Sequence, residues 1–107
     1  MQKILFICSQ NKLRSPTAEQ IFSEMPNLDV LSAGTNNDAI TPLTSELVEW
    51  ADKIFVMENM HREKIRRRFK SSLNGKKIIC LGIPDDFSYM DPGLIAILKK
   101  KVPPFLA

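Results

Sequence analysis

The sequence predicts an α/β domain, with four parallel strands and helices on both faces of the sheet. Three observations predict it. Short apolar runs alternate with helical patterns along the whole chain. The first run, residues 3–8 (KILFIC), is almost continuously apolar, as a strand buried on both faces must be. Ser15-Pro16, Thr41-Pro42 and Asp91-Pro92 each stand before a helical pattern, where a capping side chain and a proline in the first turn belong. Strands separated by helices pair in parallel through right-handed crossovers.

The elements follow in order. After residues 3–8, Ser15 reads as an N-cap, and Ala18, Ile21, Phe22 and Met25 keep the spacing of an amphipathic helix. Pro26-Asn27 ends it. Residues 28–33 are a second strand and 34–40 a polar loop. Thr41-Pro42 opens a helix carrying Leu43, Leu47, Val48 and Ala51, and residues 53–57 (KIFVM) are the third strand. Residues 58–69 form a charged helix whose apolar stripe is only Met60, Ile65 and Phe69; 71–75 are a turn. Residues 77–81 (KIICL) are the fourth strand, and Asp91-Pro92 caps a last helix with Leu94, Ile95, Leu98 and Val102, stopped by Pro103-Pro104.

Composition bounds the rest. A chain of 107 residues is one domain, 1–107, and its 44% apolar and 25% charged content excludes a disordered protein. No apolar stretch approaches the ~20 residues of a membrane span, and the opening residues do not read as an export signal, so a cytoplasmic location is expected. Two cysteines, at 8 and 80, exclude a disulfide framework and a cysteine-only zinc site. The net charge of +3 permits an anionic partner without demanding one.

In open α/β sheets ligands bind beyond the carboxyl ends of the strands. That edge receives Cys8-Ser9-Gln10-Asn11-Lys12-Leu13-Arg14-Ser15 after the first strand, and Asp85 and Asp86 after the fourth. Main-chain N–H groups of a tight loop at a helix N-terminus bind anions, and such a place favours the thiolate of a nearby cysteine. Arg14 can hold two phosphate oxygens at any relevant pH, Ser15 can donate to the sulfur, and Asn11 tolerates a left-handed backbone. The bland alternative is a small buried cysteine beside a solvated arginine.

The stretch ILFICSQNKLRSPTAE resembles the phosphate-binding loop of the low-molecular-weight protein tyrosine phosphatases. Ser32-Ala33-Gly34-Thr35, IFVME at residues 54–58 and Ile83-Pro84-Asp85-Asp86-Phe87 resemble further motifs of that family, in the same order. The resemblance implies a strand order of 2-1-3-4 and a phosphomonoesterase that uses no metal or other cofactor and passes through a cysteinyl-phosphate. Cys8 would be the nucleophile, Arg14 the phosphate clamp and Asp85 the general acid and base. Ser9, Gln10, Asn11, Lys12, Leu13 and Ser15 would surround the phosphate, with Asn11 and Ser32 bracing the loop. The expected partners are a phosphorylated protein or small aryl phosphate, with phosphate or a similar oxyanion in the loop, rather than a membrane or a nucleic acid.

Four departures stand out. Gln10 replaces the family's usual glycine, Leu13 a frequent second cysteine and Asp86 the proline after the acid, and the segment between Thr35 and Thr41 is short. Asp91 reads as a helix cap, leaving Asp85 and Asp86 as acids, with Asp85 preferred by position. Phe87 and Tyr89 are either an aromatic wall for a phenyl phosphate or loop packing on the sheet edge. The basic run at residues 61–70 reads as a solvated face, His61 has no partners at metal-ligand spacing, Cys80 reads as core and Trp50 as a core or edge contact. Three other functions remain open: a phosphate- or phosphopeptide-binding module without turnover, an arsenate-reductase-like enzyme, and a nucleic-acid-associated protein using the arginines at 66–68.

Overall fold

The computed structural model describes residues 1–106. Strand β1 (Gln2–Cys8) leads through a loop into α1 (Arg14–Phe22), and β2 (Leu28–Gly34) follows. Next come α2 (Ser45–Trp50), β3 (Lys53–Val56), α3 (Asn59–Arg68), the short α4 (Lys70–Leu73), β4 (Ile78–Cys80) and α5 (Pro92–Lys101). A 3-10 turn, Pro103–Phe105, closes the described chain. The sheet is parallel throughout, in the expected order β2-β1-β3-β4.

The continuous apolarity of β1 has a direct cause. It lies between β2 and β3 with a core layer on each face, and Ile4, Leu5, Phe6 and Ile7 are fully buried. Side chains alternate: Ile4, Phe6 and Cys8 join a layer with α1 and α5, while Leu5 and Ile7 join a layer with α2 and α3. Phe6 anchors the first layer, its ring stacked at 5.6 Å from Phe22 and 5.3 Å from Phe55. The register sets Cys8 beside Gly34 and Ile7 beside Val56, so β1, β2 and β3 end together on one edge.

Several local expectations are corrected. Ser15 is not an N-cap; α1 begins at Arg14, and the Ser15 hydroxyl turns inward to the Cys8 sulfur. Thr41-Pro42 does not open a helix. Gly34 N–H donates to Thr41 O and Leu43 N–H to Gly34 O, which extends this segment along the end of β2, and Thr44 caps α2 instead. Met60 is exposed, and its place facing inward is taken by His61. The 71–75 turn includes the end of α4, with Asn74 and Gly75 in left-handed conformation behind it. Cys80 is only half-buried, because β4 is an edge strand. The Asp91 cap holds: its Oδ1 accepts from Gly93 N–H at 2.7 Å.

Candidate active site

The loop after β1 is strapped from outside. Thr35, Asn36 and Ile40 N–H groups donate to the carbonyls of Cys8, Ser9 and Gln10, all at 3.0 Å. The strap is itself held by α3: Arg68 Nη1 donates to Thr35 O at 2.6 Å and Lys64 Nζ to Asn36 Oδ1 at 3.3 Å. With those carbonyls engaged outward, none of the amides of residues 9–15 donates to a protein acceptor among the described residues. Such an array of free amides is an anion cradle. The strap can come so close because residue 34 is glycine. A Cβ there would stand 2.5 Å from Ser9 O and 2.9 Å from Asn11 N.

Inside the loop, Asn11 is buried and left-handed, with φ 55°. Its Nδ2 donates to Ser15 Oγ at 2.9 Å and to Ser32 Oγ at 2.8 Å, and Ser32 in turn donates to Glu19. With Asn11 filling its acceptor side, the Ser15 hydroxyl has its own hydrogen to give. Cys8 Sγ at 2.9 Å is nearer than Ala33 O at 3.4 Å.

Arg14 is almost completely buried. Its Nη1 donates to Glu58 Oε1 at 2.6 Å and to Ile83 O at 2.8 Å, and its Nε faces Asp85 Oδ1 at 3.7 Å. The guanidinium therefore ties together the loops after β1, β3 and β4. Asp85 is mostly exposed at the mouth, and Asp86 is exposed with no recorded side-chain bond.

A cavity of about 230 Å³ is lined by Cys8, Ser9, Gln10, Lys12, Leu13, Arg14 and Asp85. Asn11 and Ser15 lie behind it as supports. Phe87 is not a wall of this cavity; it is half-buried and packs on the core layer of α5. Tyr89 is exposed and lines a neighbouring depression with Ile40, the two sharing Lys12.

Two residues of the site escaped the sequence reading. Glu58 caps α3, and fully buried His61 accepts the Glu58 N–H on Nδ1 at 3.1 Å. The proton of the neutral ring then sits on Nε2, which donates to Ser9 Oγ at 2.9 Å. Burial, reinforced by the Arg14 charge and opposed by Glu58, lowers the His61 pKa from 6.5 to about 4. The available signal was a Glu and a His three residues apart, at a helix start directly after a strand. Among the described residues no group of three or more His, Cys, Asp or Glu side chains could hold a metal ion. No helix of the described residues is long and apolar enough to cross a membrane.

Fold and loop together define a doubly wound α/β protein with an oxyanion cradle around a cysteine. A family model described as low molecular weight phosphotyrosine protein phosphatase matches residues 3–49. The chain is 35% identical to the low molecular weight protein-tyrosine-phosphatase PtpB of Staphylococcus aureus, over 63% of this chain and 64% of that one. It is 30% identical to a protein-arginine-phosphatase of Bacillus subtilis (strain 168), over 62% of each. It thus spans less than two thirds of the curated relatives it matches. The crystal structure of SP-PTP, a low molecular weight protein tyrosine phosphatase from Streptococcus pyogenes, superposes with a TM-score of 0.81 over 100% of this chain and 95% of that one, at 16% identity, and so shares the fold. Residues 3–49 are thus similar to the low molecular weight phosphotyrosine protein phosphatases, and the chain shares their fold.

Proposed function

We propose that the protein is a cysteine-dependent phosphomonoesterase acting on phosphotyrosine or a similar aryl phosphate. The observation that carries the reading is the Cys8 sulfur 2.9 Å from the Ser15 hydroxyl, at the floor of a loop whose amides are free and whose rim holds Arg14. A tetrahedral oxyanion set in that loop accepts from the amides and from Arg14. Ser9, which accepts from His61, keeps its hydroxyl hydrogen for the same oxyanion.

In the first step the Cys8 thiolate attacks phosphorus in line. The S–P bond forms as the ester P–O bond breaks, and Asp85 gives its proton to the departing oxygen. In the second, water attacks the cysteinyl-phosphate, Asp85 takes its proton, and the S–P bond breaks to release phosphate and the thiolate. Charge stabilisation comes from fixed groups, which pay no reorganisation at the moment of reaction. The apolar side of the substrate falls toward Tyr89 and Ile40, across Lys12 from the sulfur.

Hydrolysis of a chromogenic aryl phosphate without added metal, by wild type and Cys8→Ser, tests this. Turnover lost in the variant is expected. Phosphate or vanadate binding with no turnover in the wild type would favour a binding module, and thiol-dependent arsenate reduction a reductase. The B. subtilis relative raises a second substrate, phosphoarginine. Phosphotyrosine and phosphoarginine peptides compared at equal concentration decide between them, with faster phosphotyrosine turnover expected.

A further inference from the structure

Strand β4 is an open edge of the sheet. Leu81 and Ile83 N–H groups donate to Val56 and Met57 carbonyls of the β3 side. In a parallel ladder alternate residues face one neighbour, so Ile78 and Cys80 turn their N–H and C=O groups outward. Among the described residues those groups have no recorded partner. Such an edge is a template for another strand unless it is covered or guarded.

A groove of about 820 Å³ runs along this edge, lined by β4 and by Lys53, Arg62, Arg66 and Lys77 against one carboxylate, Asp52, which accepts from the Lys3 N–H. Its character is cationic. The ion pairs among the described residues are those of Arg14 with Glu58 and Asp85, so Arg62, Arg66 and Lys77 have no carboxylate partner. Arg62 Nε is buried and lacks a hydrogen-bond acceptor. Lys76, which would otherwise guard the edge, is spent on the carbonyls of Val48 and Glu49. At Cys80 the groove meets a second depression that reaches Glu58 and Pro84, beside the active site.

We propose that β4 and this groove dock an extended, carboxylate-rich peptide segment, added to the sheet as a fifth strand. Main-chain bonds to Ile78 and Cys80 would hold the segment, and Arg62, Arg66 and Lys77 would select its acidic side chains. A second copy of this chain is the poorer occupant, because it would bring the same cations to the same edge. The inference goes beyond the phosphatase reading. Its assay uses an unphosphorylated peptide, so its failure and that of the catalytic proposal are separately visible.

The test is fluorescence anisotropy of the intact protein with a labelled ten-residue peptide of alternating Thr and Glu, with inorganic phosphate present to fill the loop. Saturable binding is expected. N-methylation of alternate peptide nitrogens should weaken it by roughly tenfold or more, and Arg62→Ala with Arg66→Ala by a similar factor. Amide exchange at Ile78 and Cys80 of the wild type should slow when the peptide is added, a readout that does not depend on the variants folding. Undiminished binding of the N-methylated peptide, unchanged exchange at β4, equal binding of a Lys-for-Glu peptide or of an RNA oligomer, or self-association through β4 would each overturn the proposal.

Discussion

The Arg14 guanidinium and the Glu58 carboxylate meet at 2.6 Å, joining the loop after β1 to the turn that opens α3. Arg14 is buried while Glu58 is about one-third exposed, so the pair orients the arginine at modest desolvation cost. Glu58→Gln should leave the guanidinium less well aimed. The expected result is a fall in kcat of roughly tenfold to a hundredfold, with stability lowered by about 1–2 kcal/mol. Steady-state kinetics and urea denaturation of the variant measure both.

Gly34 is predicted to be intolerant of any side chain. A methyl there meets Ser9 O at 2.5 Å and the Ala39 Cβ at 2.6 Å, so either the strap or the loop must move. Gly34→Ala should lose about 1–3 kcal/mol and weaken phosphate binding more than it disturbs the far end of the sheet. Thermal melts with and without phosphate check this: the ligand-induced rise in Tm should shrink in the variant.

The two adjacent carboxylates are expected to separate cleanly. Asp85 faces Arg14 at the cavity mouth, whereas Asp86 is exposed outside the cavity lining. Asp85→Asn should cost roughly a hundredfold in kcat on an alkyl phosphate, whose leaving oxygen needs a proton, and less on an activated aryl phosphate. Asp86→Asn should stay near wild type. The reverse pattern would exchange their roles.

Stability should fall in mild acid because of His61. In the unfolded chain its imidazole protonates near 6.5, in the folded protein only near 4. Between those values the unfolded chain binds more protons, so acid favours unfolding. The contribution is whole above pH 6.5 and is lost as pH falls toward 4, roughly 3 kcal/mol in all. Protonation also removes the Nδ1 lone pair that accepts the Glu58 amide. Denaturation of wild type between pH 7.5 and 4.5 should show this slope, and His61→Gln should flatten it.

The gathering of Cys8, Asn11 and Arg14 was legible because all three stand in one loop between a strand and a helix. The two-layer core was legible too, from alternation and apolar runs, and the strand order from the resemblance. Glu58 and His61 were not, because their partners Arg14 and Ser9 lie 44 and 52 residues away and meet them only through the pairing of β1 with β3. Ser15 and Pro42 misled for a related reason. Their local preference for a helix start lost to long-range partners, the Cys8 sulfur and the end of β2. Phe87 and Tyr89 could not be sorted from spacing, since burial of the first depends on where α5 packs.

The strap over the loop carbonyls has a cost structure of its own. Ordering residues 8–10 is completed during folding, when Thr35, Asn36 and Ile40 close their bonds, and is not left to the moment of encounter. Affinity for an oxyanion should therefore fade in step with fraying of residues 35–43, so denaturant too dilute to unfold the sheet would already blunt recognition.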